Sequence, residues 1–95
     1  MYILVTYDVN TSDAGGARRL SRVAKVCLNY GQRVQNSVFE CLVTQDQFIQ
    51  MKAELTNIIG DEDSIRFYKL GNNFQSKIEH LGKDTSFDMT GELII

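Results

Sequence analysis

The sequence predicts an α+β fold of the ferredoxin-like, split-βαβ kind, an antiparallel sheet with two helices on one face. Three observations predict it. Apolar, β-prone runs and amphipathic helical stretches follow one another in the order strand, helix, two strands, helix, strand. The 95 residues make one domain, because surface scaling lets such a chain bury ~65% of its extended area, enough for a single thin core. The first strand has no cleanly polar side, so both faces of the sheet need a cover.

Each element has its own warrant. Residues 2–9 are a β-prone run in which Ile3, Val5, Tyr7 and Val9 point one way and Tyr2, Leu4, Thr6 and Asp8 the other. Asn10-Thr11-Ser12-Asp13 is turn and cap chemistry, and a helix follows over 14–29. On that helix Leu20, Val23, Ala24 and Cys27 share one face, with Arg18, Arg22 and Lys25 opposite. Gly31 is expected to stop it. Residues 33–43 read as two strands parted by a bend at Gln35-Asn36-Ser37. A second helix over 45–59 presents Phe48, Met51, Leu55, Ile58 and Ile59. A strand over 64–70 precedes a turn at Gly71-Asn72-Asn73 and a short extra strand over 75–81. The chain divides into a core, 1–81, and an extension, 82–95, ending in apolar Leu93-Ile94-Ile95. Two helices cover only one sheet face, so a second copy is expected on the other, making a homodimer. The terminal segment would add a strand to a sheet edge, its own or the partner's.

Composition excludes several classes. No apolar run approaches the ~18 residues that span a membrane. The chain reaches Asp8 without a basic n-region, so no signal peptide is expected. Two cysteines, Cys27 and Cys41, support neither a disulfide framework nor a thiolate metal site, and the expected compartment is the cytoplasm. Net charge is −2, which argues against a general nucleic-acid coat. Yet residues 14–39 hold no Asp or Glu and carry Arg18, Arg19, Arg22, Lys25 and Arg33. A basic face on an acidic body fits selective binding of a polyanion; a merely solvated helix face fits it equally.

Asp8 is the first candidate for chemistry, because a carboxylate at the end of an apolar strand is costly unless it is paired or holds a metal. Capping of the next loop is the alternative. The basic helix face and Arg33 could track phosphates. Gly15-Gly16 allows close backbone approach but makes no nucleotide-binding loop. Tyr7, Tyr30, Phe39 and Tyr68 lie on elements whose aromatics are mostly core. His80 reads as a surface residue, Cys27 and Cys41 as packed thiols, and Gly60-Asp61-Glu62-Asp63 as a solvated turn.

Val5-Thr6-Tyr7-Asp8-Val9, Gly16-Ala17-Arg18-Arg19-Leu20 with Val23-Ala24-Lys25 and Tyr30-Gly31, and Arg33-Val34-Gln35-Asn36-Ser37-Val38-Phe39-Glu40-Cys41 together resemble the small CRISPR-associated adaptation nucleases, the Cas-two family. Asp63-Ser64-Ile65-Arg66-Phe67-Tyr68 and the C-terminal Leu93-Ile94-Ile95 extend the resemblance, which looks like the subgroup accompanying type I-C systems. It implies a homodimer whose C-terminal strand joins the partner's sheet, working with the CRISPR integrase in spacer acquisition. It further implies a metal-dependent endonuclease on RNA or DNA, with Asp8 binding Mg²⁺ near the dimer axis. Arg18, Arg19, Arg33 and Phe39 match positions tied to substrate binding or activity. We expect one Mg²⁺ per dimer, shared by two Asp8 side chains. A non-catalytic scaffold for duplex DNA, bridging the integrase, is the rival. A toxin-like ribonuclease of the virulence-associated D type, on the same fold, is a third reading.

Overall fold

The computed structural model describes residues 1–10, 12, 14–71 and 74–82, with Phe74 and Gln75 as backbone alone. Its elements are β1 (Tyr2–Asp8), α1 (Gly16–Leu28), β2 (Gly31–Gln35), β3 (Val38–Leu42), α2 (Gln45–Thr56), β4 (Ser64–Gly71) and the single turn α3 (Phe74–Lys77). The four strands form one sheet in the order β2-β3-β1-β4, with every neighbouring pair antiparallel. This is the expected α+β architecture.

Strand alternation builds the core. Ile3, Val5 and Tyr7 of β1 and Phe39 and Cys41 of β3 are buried on one face, against Val23, Ala24 and Cys27 of α1 and Phe48, Met51 and Leu55 of α2. These are the apolar faces that helical spacing assigned, continued by Leu20, Ile58 and Ile59 at their margins. The Phe48 ring meets Phe67 of β4 edge-on, with centroids 5.4 Å apart, and so docks α2 on the edge strand. Removing such a ring costs roughly 3–5 kcal/mol. α2 starts with a reciprocal cap. Thr44 Oγ1 accepts from the Gln47 N–H, and Gln47 Oε1 accepts from the Thr44 N–H.

The opposite sheet face has no helix among the described residues. It carries Tyr2, Leu4 and Thr6 half-buried and Asp8 exposed on β1, Leu42 exposed on β3, and Arg66 and Tyr68 exposed on β4. Tyr68 is therefore not a core aromatic. A second copy was expected to cover this face; the terminal segment expected to add a strand to a sheet edge lies outside the described residues.

Three local expectations are corrected. Residues 75–81 form no strand: the chain turns at Gly71, whose φ is +76°, into α3, and Lys77 Nζ donates to the Leu70 carbonyl at 2.8 Å. The polar Gln75, Ser76 and Lys77 had no apolar alternation with which to join a sheet. Gly31 does not end α1 through a left-handed turn. It begins β2, and a Cβ there would strike the Glu40 carbonyl of β3, so its bareness serves the close approach of two strands. α1 begins at Gly16 rather than residue 14, and the Asn10 carbonyl lies 2.7 Å from where a Gly16 Cβ would stand. Gly16 thus admits the chain's own β1–α1 loop.

Candidate functional site

Asp8 is the last residue of a central strand and is exposed on the uncovered sheet face, paired in register with Ser64 of β4. Three connections lie at the same end of the sheet as Asp8. On one side, the Tyr7 N–H donates to the Ser37 carbonyl at 2.9 Å, which brings the β2–β3 turn alongside. Arg33 is held against that turn: its Nε donates to the Asn36 carbonyl at 2.8 Å, and its guanidinium lies 5.5 Å from the Phe39 ring centroid. Arg33 pairs in register with Phe39 and so shares its sheet face, opposite to that of Asp8; it stays exposed, whereas Phe39 is fully buried. Phe39 therefore supports Arg33 from the core, and its ring reaches no bound strand.

On the other side, Asp63 gathers donors from three segments. Its Oδ2 accepts from Tyr7 Oη at 2.5 Å, Arg19 Nε at 2.7 Å and the Gly60 N–H at 2.8 Å. Its Oδ1 accepts from the Asn10 N–H at 2.9 Å and Arg19 Nη2 at 3.3 Å. The side chain of Asp63 is wholly buried and that of Arg19 is 15% exposed. The Arg19 guanidinium, helped by the Asn10, Tyr7 and Gly60 donors, holds the Asp63 carboxyl well below the usual carboxylate range. Burial, then the bond to Asp63, pushes the Tyr7 phenol up to about 12. The expected solvated turn is thus corrected at Asp63: only Asp61 and Glu62 face solvent. Sequence reasoning missed this cluster because Arg19, Asn10 and Tyr7 lie 44 to 56 positions from Asp63. The one local sign was a glycine three residues before the acid, where a Cβ would stand 3.1 Å from Arg19 Nε.

The five basic residues separate in space. Arg18, Arg22 and Lys25 are exposed on the outer face of α1, over about 10 Å of helix axis. Arg19, the next residue, turns inward to Asp63. Cys27 and Cys41 are buried free thiols; the contact with Cys41 and burial push the Cys27 thiol up, as suits packing rather than reactivity. His80 is exposed and lies 3.1 Å from the Gly82 carbonyl.

A divalent cation can be tested against these donors. Among the described residues no group of three or more His, Cys, Asp and Glu side chains could hold a metal ion. Asp63 is committed through both oxygens to N–H and O–H donors. One chain then offers Asp8 alone. Mg²⁺ is commonly held by one or two carboxylates with waters completing its shell, so the exposed Asp8 fits such an ion, best with a second carboxylate from another copy.

Residues 1–78 match the family model for CRISPR associated protein Cas2. A "CRISPR-associated endonuclease Cas2" of Halalkalibacterium halodurans is 56% identical over 95 residues, covering 99% of each chain. A "CRISPR-associated endoribonuclease Cas2" of Chlorobaculum tepidum is 51% identical over 96 residues, covering 100% of each. Among solved structures, Streptococcus pyogenes Cas2 superposes with a TM-score of 0.80 at 59% identity, covering 86% of this chain and 100% of that one. With the sheet order and these sequence matches in agreement, the chain belongs to the CRISPR-associated Cas2 family.

Proposed function

We propose that this protein is a Mg²⁺-dependent endonuclease, working as a homodimer in CRISPR spacer acquisition beside the integrase and in the cytoplasm. The observation that carries the reading is Asp8: an exposed carboxylate ending a central strand, on a sheet face that offers apolar Leu4, Leu42 and Tyr68 to a second copy. Pairing two such faces would bring two Asp8 side chains to one axis and make up the ligands that a single chain lacks. When bound, the magnesium would polarise a phosphoryl oxygen and acidify a water. The chain's own side chains do the rest. Asp8 holds the ion; Arg18, Arg22 and Lys25, on the outer face of α1 and so across the sheet from Asp8, bind phosphates away from the cut, and Arg33, braced by Asn36 and Phe39, binds them at the β2–β3 turn. The relatives' names include both endonuclease and endoribonuclease, so both RNA and DNA belong in the test.

The test is Asp8→Asn. It should abolish Mg²⁺-dependent cleavage of both polymers and leave duplex binding intact; undiminished cleavage overturns the reading. A second reading, a non-catalytic scaffold that carries duplex DNA between integrase subunits, is favoured by the single carboxylate per chain and by the exposed basic face of α1. It predicts that Asp8→Asn supports spacer acquisition at the wild-type rate. Membership of the Cas2 family weighs against a toxin-like ribonuclease.

A further inference from the structure

Arg19 sits among five basic residues, and its neighbours on both sides of the helix turn face solvent. The structure gives it a different task. Its guanidinium spends Nε and Nη2 on the fully buried Asp63, at 2.7 and 3.3 Å. The same carboxylate takes the hydroxyl of Tyr7 and the N–H of Asn10, the residue before Asp8 and the second residue after it. Asp63 thereby grips β1 on both flanks of Asp8. Because strand side chains alternate, locking Tyr7 inward fixes Asp8 outward. Ser64, which follows Asp63, pairs with Asp8 in the sheet, so the grip and the strand register reinforce each other. Gly60 completes the device by donating its own N–H and by leaving room for the guanidinium.

We propose that Arg19 makes no phosphate contact, and that Arg19 and Asp63 are positioning residues that set the direction of Asp8. The proposal rests on the reading of Asp8 as the reacting end of the strand. Outer partners that orient a metal ligand are typically worth 10- to 100-fold in activity or metal affinity, roughly speaking, when removed. A phosphate contact has a different signature: its loss lowers affinity and takes about 0.9 from the log–log salt slope of duplex binding.

The experiment compares full-length Arg19→Gln, Asp63→Asn, the double variant and Arg19→Lys with wild type. The readouts are kcat and KM for cleavage, the half-saturating Mg²⁺ concentration, and the salt slope of duplex binding, all well below each Tm. The single variants should lower kcat or raise the Mg²⁺ requirement by about 10- to 100-fold, with KM and salt slope unchanged. The double variant should be no worse than Asp63→Asn, and Arg19→Lys should recover part of the loss. A flatter salt slope for Arg19→Gln would overturn the proposal in favour of phosphate contact. Wild-type kcat and Mg²⁺ requirement in folded Arg19→Gln and Asp63→Asn would reduce the pair to a structural clamp and overturn it too. Should Asp63→Asn not fold, Tyr7→Phe removes a single hydroxyl from the grip and must show the same kcat loss. Asp8→Asn, run in parallel, separates the failures. If it cleaves normally the reading of Asp8 as the reacting end of the strand fails, while the salt slope of Arg19→Gln still decides whether Arg19 touches phosphate.

Discussion

Replacing Asp63 with alanine should be the most damaging single change at this end of the sheet, and the damage should depend on pH. Five donor groups converge on the two carboxylate oxygens. Breaking a buried ion pair from one side costs about 3–5 kcal/mol, since the partner charge is stranded. Arg19 keeps 15% of its side chain in solvent while Asp63 has none, so the lower end, about 3 kcal/mol, applies. In a domain of this size each kcal/mol shifts Tm by about 4–8 °C, so Tm should fall by about 12 °C or more. The pH dependence has a definite sign. The folded carboxyl titrates below its unfolded value, so its contribution is complete above the ordinary carboxylate range and is lost as pH falls through the depressed folded value. The gap between wild type and Asp63→Ala should stay constant from neutrality to about pH 5 and then narrow in acid. Tyr7, raised to about 12, acts at the other limit: its contribution is present below its ordinary value near 10 and is lost as pH rises through about 12. Urea or thermal unfolding of both proteins from pH 7 to pH 2 measures the acid arm. A gap that is equally wide at pH 2 and pH 7 would refute the charge-based account, and a loss under 1 kcal/mol at pH 7 would refute the clamp.

Two further outcomes test the proposed dimer and its substrate. In dimers refolded from wild-type and Asp8→Asn chains, a metal shared by two Asp8 carboxylates makes activity follow the square of the wild-type fraction, and a linear dependence would mean that each chain carries its own site. Neutralising Arg18, Arg22 and Lys25 together should flatten the salt slope of duplex binding by about 5 in a dimer if all six side chains meet phosphate, and an unchanged slope would make that helix face plain solvated surface.

The legible parts of this molecule are those set by short-range periodicity. Alternation in β1 and the spacing of Val23, Ala24 and Cys27 on α1, and of Phe48, Met51 and Leu55 on α2, each identify a buried face within one element, and together they yield the layering. Asp8 was legible for the same reason, since its position at the end of an apolar strand is a local fact. Asp63 was not. Its surroundings come from β1, the β1–α1 loop, α1 and the loop before β4, and no window of sequence spans them. An acidic tetrapeptide after a glycine has the same appearance whether its last carboxylate is solvated or buried, and only the arrival of Arg19 decides. Arg19 itself shows the converse. In a run of basic residues, helix geometry separates neighbours by ~100°, so Arg18 and Arg22 reach solvent while Arg19 reaches the sheet end.

That separation explains how a thin domain can carry both a rigid site and a basic surface on one helix. A carboxylate exposed at a strand end would be free to swing with the loop that follows, and a loop rich in small polar residues has little apolar contact to hold it. Packing alone holds this loop weakly, because beyond Tyr7 only the partly buried Val9 continues the core among the described residues before α1. The chain uses a buried charge instead. Asp63 is costly to desolvate, yet with Arg19, Tyr7 Oη and two backbone N–H groups on its oxygens, no buried side-chain polar atom among the described residues is left without a partner. Such a network is stiff, since each donor has one geometry that satisfies it. Arg19 serves here better than lysine would, because its planar fork meets both carboxylate oxygens at once, where an ammonium keeps only the charge. The charge of Arg19 is thereby spent inside the fold, and the positive field available to a polyanion comes from Arg18, Arg22, Lys25 and Arg33. The basic stretch thus contains two kinds of residue, four facing outward and one turned inward to a buried carboxylate.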